Sequence, residues 1–195
     1  MSNPTTDITE LAAMVREHQD RIEIADLCAN YCYSIDGRDL EKLCSLFTPN
    51  GTNSGRQGRE EIRAFFANRF SLWGMSFHSP LSHVITFEGT DRATGILTGY
   101  AEMQIAGEYW IAAARYTDIY VRDPDGWLFA ERTPKFYYYM RLSDFPTGFE
   151  GHYRRRYTSA NSIHGGGVQV AHLPEELETY KNWIHNHPEA KEGMA

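Results

Sequence analysis

Residues 83–105 read HVITFEGTDRATGILTGYAEMQI, and this stretch decides the fold class. His83-Val-Ile-Thr-Phe-Glu88 is rich in β-branched and aromatic residues and predicts a strand, with Gly89-Thr-Asp-Arg92 as its turn. Ala93 to Ile105 then predicts a second strand, and two strands joined by so short a turn are antiparallel. The same rhythm continues downstream. Gly107-Glu108 is a turn, Trp110–Arg122 a strand, Asp123-Pro-Asp-Gly126 a hairpin signal and Trp127–Met140 a fourth strand. Upstream, the period changes to that of a helix. From Arg21, the apolar positions Ile24, Leu27, Cys28, Tyr31 and Ile35 recur every three or four residues until Gly37 breaks the run. A short second helix buries Leu40, Leu43 and Leu46–Phe47 and is stopped by the turn chemistry of Thr48-Pro-Asn-Gly51; Ile62, Phe65, Phe66 and Phe70 mark a third. Helices followed by an antiparallel meander predict an α+β domain with helices on one face of a curved sheet.

Beyond Pro146 the composition turns to Gly, Arg, Tyr and His, including Arg154-Arg-Arg156 and Gly165-Gly-Gly167. Leu173 to His185 predicts a helix with Pro174 in its first turn. We therefore expect a domain over residues 1–145 and an extension over 146–195 that packs on the domain or on a neighbouring subunit. A net charge of −7, from 19 basic and 26 acidic side chains, opposes binding to nucleic acid or anionic membrane. The polar first ten residues lack a signal-peptide pattern, and no run reaches the roughly 18–20 apolar residues of a membrane span, so a cytoplasmic protein is expected. Cys28, Cys32 and Cys44 are odd in number and fall on predicted helices, as buried free thiols do.

Several segments together resemble the SnoaL-like branch of the nuclear-transport-factor-2 superfamily. They are Ile24-Ala-Asp-Leu-Cys-Ala-Asn-Tyr31, Ser34-Ile-Asp36-Gly-Arg-Asp39, Leu46-Phe-Thr-Pro-Asn-Gly51 and Gly58-Arg-Glu-Glu-Ile62. Phe77-His78, Ala114-Arg-Tyr-Thr-Asp118 and Asp125-Gly-Trp-Leu-Phe-Ala-Glu-Arg132 complete the ordered set. That branch includes scytalone dehydratase, bile-acid 7α-dehydratase, the hexachlorocyclohexane dehydrochlorinase and polyketide cyclases. The resemblance implies a cone-shaped α+β barrel, its N-terminal helices packed on a curved antiparallel or mixed sheet, with a long C-terminal tail. It also implies a homodimer or homotrimer.

On the residues alone, Asp36 is a helix-end aspartate of the capping kind, and His78 and His83 are structural histidines. The resemblance changes their meaning. It implies that Asp36 points into the cone and orients a catalytic histidine. By register this is His78, in a loop ahead of the first strand, with His83 as the rival. It further implies that Tyr31 is a polar pocket residue and that Arg132 faces the cavity, where a guanidinium would stabilise developing negative charge. Arg115 and Asp118 lie three apart on a strand and face opposite ways, Asp118 reading as structural. The pocket wall is expected from the aromatics: Tyr33, Trp73, Phe77, Tyr100, Trp110, Tyr116 and the run Phe136-Tyr-Tyr-Tyr139, with Tyr138 and His83 among the substrate-contacting side chains.

Other motifs fail. His164-Gly-Gly-Gly167 has no Gly-x-Ser-x-Gly elbow to serve, and neither metal-ligand spacings nor nucleotide loops occur. No cofactor and no metal are expected. The leading expectation is a cofactor-independent lyase, of dehydratase type and with formaldehyde release as a variant, acting on a small cyclic or aromatic hydroxylated substrate. The alternatives are an isomerase or polyketide-type cyclase using the same pair, and a non-catalytic accessory subunit like the small subunit of ring-hydroxylating oxygenases.

Overall fold

The computed structural model describes residues 7–149, 155–157, 168–170 and 172–188; Arg154 and the His164–Gly167 run lie outside these. The first helix, α1 (Ile8–Asp36), begins well before the expected Arg21, with the Asp7 carboxylate accepting from Thr9 N at 3.2 Å. No helix-breaking residue stands between Ile8 and Asp36, so the helix extends beyond the core. Its first turns leave Ile8, Leu11 and Met14 exposed. The apolar period starts only where α1 meets the sheet, at Ile24, Leu27, Cys28, Tyr31 and Ile35, all buried. Each such side chain contributes about 1.5–3 kcal/mol. Gly37 caps the helix, its N–H reaching Tyr33 O at 2.8 Å, and a Cβ there would stand 3.0 Å from that oxygen. Asp36 is thus the last helical residue, and the chain reverses directly after it.

Helices α2 (Leu40–Ser45) and α3 (Gly58–Phe70) follow, but the turn expected at Thr48–Gly51 lies inside a strand. This strand, β1 (Phe47–Asn53), runs parallel to β6 (Gly126–Arg141) and antiparallel to the short β2 (Arg56–Gln57). The ladder with β6 shifts register between Phe47 and Thr52, which accommodates Pro49 where no backbone donor is needed. Gly51 fits the same place, since a Cβ on it would lie 2.9 Å from Phe129 O. Turn-forming residues here mark a bulge and a close backbone approach.

Strands β3 (Trp73–Phe87), β4 (Arg92–Ile105), β5 (Glu108–Asp123) and β6 form the expected meander. The sheet follows β2-β1-β6-β5-β4-β3 and is therefore mixed, curved and not closed, as a cone-like α+β fold requires. Strand β3 starts ten residues earlier than expected, so His78 sits in a strand rather than in a loop. Two short strands of the C-terminal segment, β7 (Arg155–Tyr157) and β8 (Val168–Val170), extend the same sheet, β7 pairing parallel with β6. The expected helix at Leu173 starts only at α4 (Glu178–Asn186). Residues Leu173–Glu176 form turns, with Leu177 N bonded to Pro174 O. Cys28, Cys32 and Cys44 are free and buried. No helix among the described residues is long and apolar enough to cross a membrane.

Candidate functional site

Where α1 ends, its terminal carboxylate meets β3. Asp36 Oδ1 lies 2.7 Å from His78 Nδ1 and accepts from Ser76 Oγ at 2.8 Å, and Asp36 Oδ2 accepts from the His78 backbone N–H at 2.8 Å. Arg38, at a φ of 59°, folds back to donate to Ile35 O, to Ser76 Oγ at 2.8 Å and to Gly74 O. This clamp joins the end of the helix to the start of the strand. Burial on its own raises the Asp36 pKa. The hydrogen bonds from the His78 ring, the His78 amide and Ser76 outweigh it and hold the carboxyl below its ordinary value. An ionised carboxylate only accepts, so His78 Nδ1 carries the hydrogen, and in the neutral ring Nε2 keeps the lone pair. The ring is stacked on Trp73, centroids 5.9 Å apart at 22°.

His78 borders a cavity of about 400 Å³, whose wall includes Tyr31, Trp73, Tyr100, Tyr116, Phe136 and Tyr139. Of the expected wall residues, Trp73, Tyr100, Tyr116, Phe136 and Tyr139 are in place, although the Tyr100 hydroxyl donates to Glu102 on the outer face, at 3.2 Å. The other expected aromatics stand elsewhere. Phe77 alternates with His78, so it points outward and is 54% exposed. Trp110 is buried in a second core cluster with Ile105, Ile111 and Met140. Tyr138 packs on Phe149, and Tyr139 takes the cavity position instead. The cause is a bulge. Ala114 pairs with Phe136 and Ala113 with Tyr138, so Tyr137 is the extra residue of the bulge and the alternation restarts one residue late. Tyr33, on the outer side of α1, is 74% exposed.

A second bulge places Arg132. Tyr120 pairs with Phe129 and Ile119 with Glu131, so Ala130 is extra, and Arg132 turns to the helix side with Phe129. It does not reach the cavity. Its guanidinium lies 4.3 Å from the Tyr31 ring centroid and 4.2 Å from that of Tyr116, beneath the two rings that line the cavity, and pairs with Asp118 at 3.7 Å. Burial works against its charge, but Asp118 and the neighbouring thiol and phenols raise its pKa. Burial raises Asp118, and Arg132 opposes it. Arg115 faces the other way and donates to the Tyr137 hydroxyl at 3.0 Å.

His83 belongs to this lower layer and not to the Asp36 site. A register shift between Pro80 and His83 brings it to the same face as His78. There its Nε2 lies 3.0 Å from the Tyr120 hydroxyl, which gives its one hydrogen to Asp118 Oδ2 at 2.8 Å. His83 Nε2 is therefore the donor. Burial, reinforced by Arg132, lowers the His83 pKa from 6.5 to about 4. The sign follows by linkage: between those values the unfolded chain binds the proton and the folded chain does not. Folding stability is expected to fall as pH is lowered from 6.5 to about 4. In His83→Gln that part of the slope should vanish from pH-dependent urea titrations; an unchanged slope would contradict the buried neutral imidazole.

Sequence reasoning passed over Ser76, Arg38, Asn53 and Arg69. Asn53 Nδ2 donates to the Tyr31 hydroxyl at 3.1 Å, and no described residue accepts the hydroxyl's own hydrogen. Arg69 lines the cavity with its guanidinium 4.0 Å from the Phe65 ring centroid. A signal for it existed: it lies seven residues after Ile62 and four after Phe65, a charge on the apolar face of α3. Among the described residues, no cluster of three or more His, Cys, Asp or Glu is placed to hold a metal ion.

The model of the SnoaL-like domain family matches residues 16–133. No curated protein sequence matches the chain. Among solved structures, hexachlorocyclohexane dehydrochlorinase LinA-type3 from Novosphingobium barchaimii superimposes with a TM-score of 0.60 at 21% identity, over 66% of this chain and 94% of its own. A scytalone dehydratase-like protein from Novosphingobium aromaticivorans gives 0.61 at 19%, over 65% and 90%. An NTF2-like protein with a cystatin-like fold from the same species gives 0.56 at 27%, over 68% and 92%.

Proposed function

The chain belongs to the SnoaL-like domain family, and from that premise we propose that it is a cofactor-independent lyase acting on a small cyclic or aromatic hydroxylated substrate. One observation carries the reading. An imidazole fixed through Nδ1 by a carboxylate borders, at 10% side-chain exposure, a cavity walled by aromatic rings. Such a pair is a general base whose conjugate acid is stabilised in place, and positioned proton transfer is worth roughly 10²–10⁴ in rate.

In this mechanism His78 Nε2 removes the proton from a carbon next to a carbonyl, or from a phenol, and the imidazolium rests against Asp36. Tyr31, whose hydroxyl accepts from Asn53, donates its own hydrogen to the departing hydroxyl, which leaves as water. Burial raises the Tyr31 pKa, and Arg132 beneath the ring opposes this, so the phenolate formed in passing is stabilised by that cation. The imidazolium then returns the proton to Tyr31. Loss of formaldehyde from an aryl-1,3-propanediol uses the same base on the hydroxymethyl O–H: the carbon–oxygen double bond of formaldehyde forms as the carbon–carbon bond breaks, and the released electron pair forms an alkene by expelling the neighbouring hydroxyl, which leaves as water with the Tyr31 hydrogen. The solved relatives include a dehydrochlorinase and a scytalone dehydratase-like protein. These names favour elimination over isomerisation or cyclisation for this chain.

The test is turnover of β-hydroxy ketones and aryl-propanediols in deuterated water, followed by mass spectrometry. Loss of water or formaldehyde supports the lyase; deuterium uptake with no mass lost assigns an isomerase. Asp36→Asn, which removes the charge and the tautomer control, is expected to reduce kcat by on the order of 10²-fold or more while leaving the thermal midpoint within a few degrees. Full activity in that variant would contradict the pair.

A further inference from the structure

Among the described residues, two of the side chains lining the cavity carry a permanent charge, Arg56 and Arg69, and no Asp or Glu lines it. The chain as a whole carries −7. A positive cavity in an acidic protein focuses its field on anions. The two guanidiniums share one aromatic ring, Arg56 at 4.4 Å and Arg69 at 4.0 Å from the Phe65 centroid. Arg56 also donates to Ser54 O at 2.6 Å. The Arg69 guanidinium has neither a hydrogen bond nor an ion pair with any described residue; the Phe65 ring is its contact. Burial works against its charge, Tyr139 offsets this in part, and Arg56 adds like-charge repulsion. A guanidinium presents five N–H donors in a planar fork, and leaving them unmatched in a half-buried cavity is costly. The missing complement is a flat acceptor of opposite charge. A carboxylate matches that fork with two parallel hydrogen bonds.

We propose that Arg69, supported by Arg56, is the anion-binding end of the substrate site, and that the substrate is a cyclic or aromatic carboxylate. The inference rests on reading the cavity as the substrate site, and it is independent of the step that His78 performs. Arg69 is then a specificity residue. It acts on the ground state by holding a charge already present, while the base and Tyr31 act on the reacting atoms.

The experiment is calorimetric binding of 2-naphthoate and of 2-naphthamide, its neutral counterpart of the same shape, without turnover. The full-length protein is expected to bind naphthoate about tenfold or more tightly than naphthamide, with the preference shrinking as salt rises. Arg69→Gln should erase the preference while naphthamide still binds, which also shows that the cavity is still formed. Arg69→Lys, which keeps the charge and loses the fork, should fall between. In His78→Ala the preference should persist, so loss of turnover there leaves the subsite standing, and failure of the subsite leaves the base standing. Equal binding of the two probes, absence of naphthoate binding, or a preference that survives in Arg69→Gln would overturn the proposal.

Discussion

His78→Ala is expected to fold and to lose about 10²–10⁴-fold of kcat, with KM changed far less. The reason lies in what the substitution removes and what it leaves. It removes Nε2, the one nitrogen of the pair that faces the cavity without a hydrogen-bond partner among the described residues. It leaves the backbone N–H of residue 78 and the Ser76 hydroxyl on Asp36, so the carboxylate keeps two of its three hydrogen bonds. The stability loss should therefore stay near that of a lost ring stack against Trp73, on the order of 1 kcal/mol. Circular dichroism and a urea titration check the fold, and steady-state kinetics on a turned-over substrate checks the rate. Wild-type kcat in this variant would move the base elsewhere.

Arg132→Met is expected to be the most destabilising single change in the domain, at about 3–5 kcal/mol by urea denaturation. Arg132 is 1% exposed and Asp118 fully buried, so the variant strands a carboxylate that keeps the hydrogen bond from the Tyr120 hydroxyl but loses its counter-charge. The double variant Arg132→Met, Asp118→Leu should recover most of the loss, because it removes the unpaired charge as well. The loss in the single variant should also shrink at low pH, where Asp118, already raised by burial, takes up its proton. A loss below about 1 kcal/mol would mean that the pair is solvated, against its position beneath Tyr31 and Tyr116.

The helical period and the turn signals between strands placed α1, α3 and the β3–β6 meander, because periodicity reports burial and these elements bury one face. They misplaced what periodicity does not encode. The exposed first turns of α1 bury nothing and so left no pattern. Thr48-Pro-Asn-Gly51 has turn chemistry, and its proline and glycine serve a bulged edge of β1 against β6. Strand β3 reaches back to Trp73 because its pairing with β4 continues past a register shift that no local residue announces. The same limit decided the site. Asp36 and His78 were nameable through the family resemblance, which gives a role to the aspartate that ends a helix and to the histidine seven residues before Ile85. Tyr139 and Arg132 each depend on a β6 bulge, and such a bulge inverts every later inward or outward assignment. Tyr138 was expected where Tyr139 stands. Arg132 does turn inward, but to a layer below the cavity. Arg69 was visible as a charge on an apolar stripe and went unread.

One arrangement is central to the site: Asp36 holds the hydrogen of His78 Nδ1, so that in the neutral ring Nε2 is bare toward the cavity. Nitrogen-15 NMR of the imidazole rings, with His78 assigned by the signal missing from His78→Gln, measures this directly. The prediction is that the neutral ring carries its hydrogen on Nδ1 and leaves Nε2 bare, with this tautomer preference weakened in Asp36→Asn. A proton on Nε2 with a bare Nδ1, or a spectrum indifferent to Asp36→Asn, would contradict it.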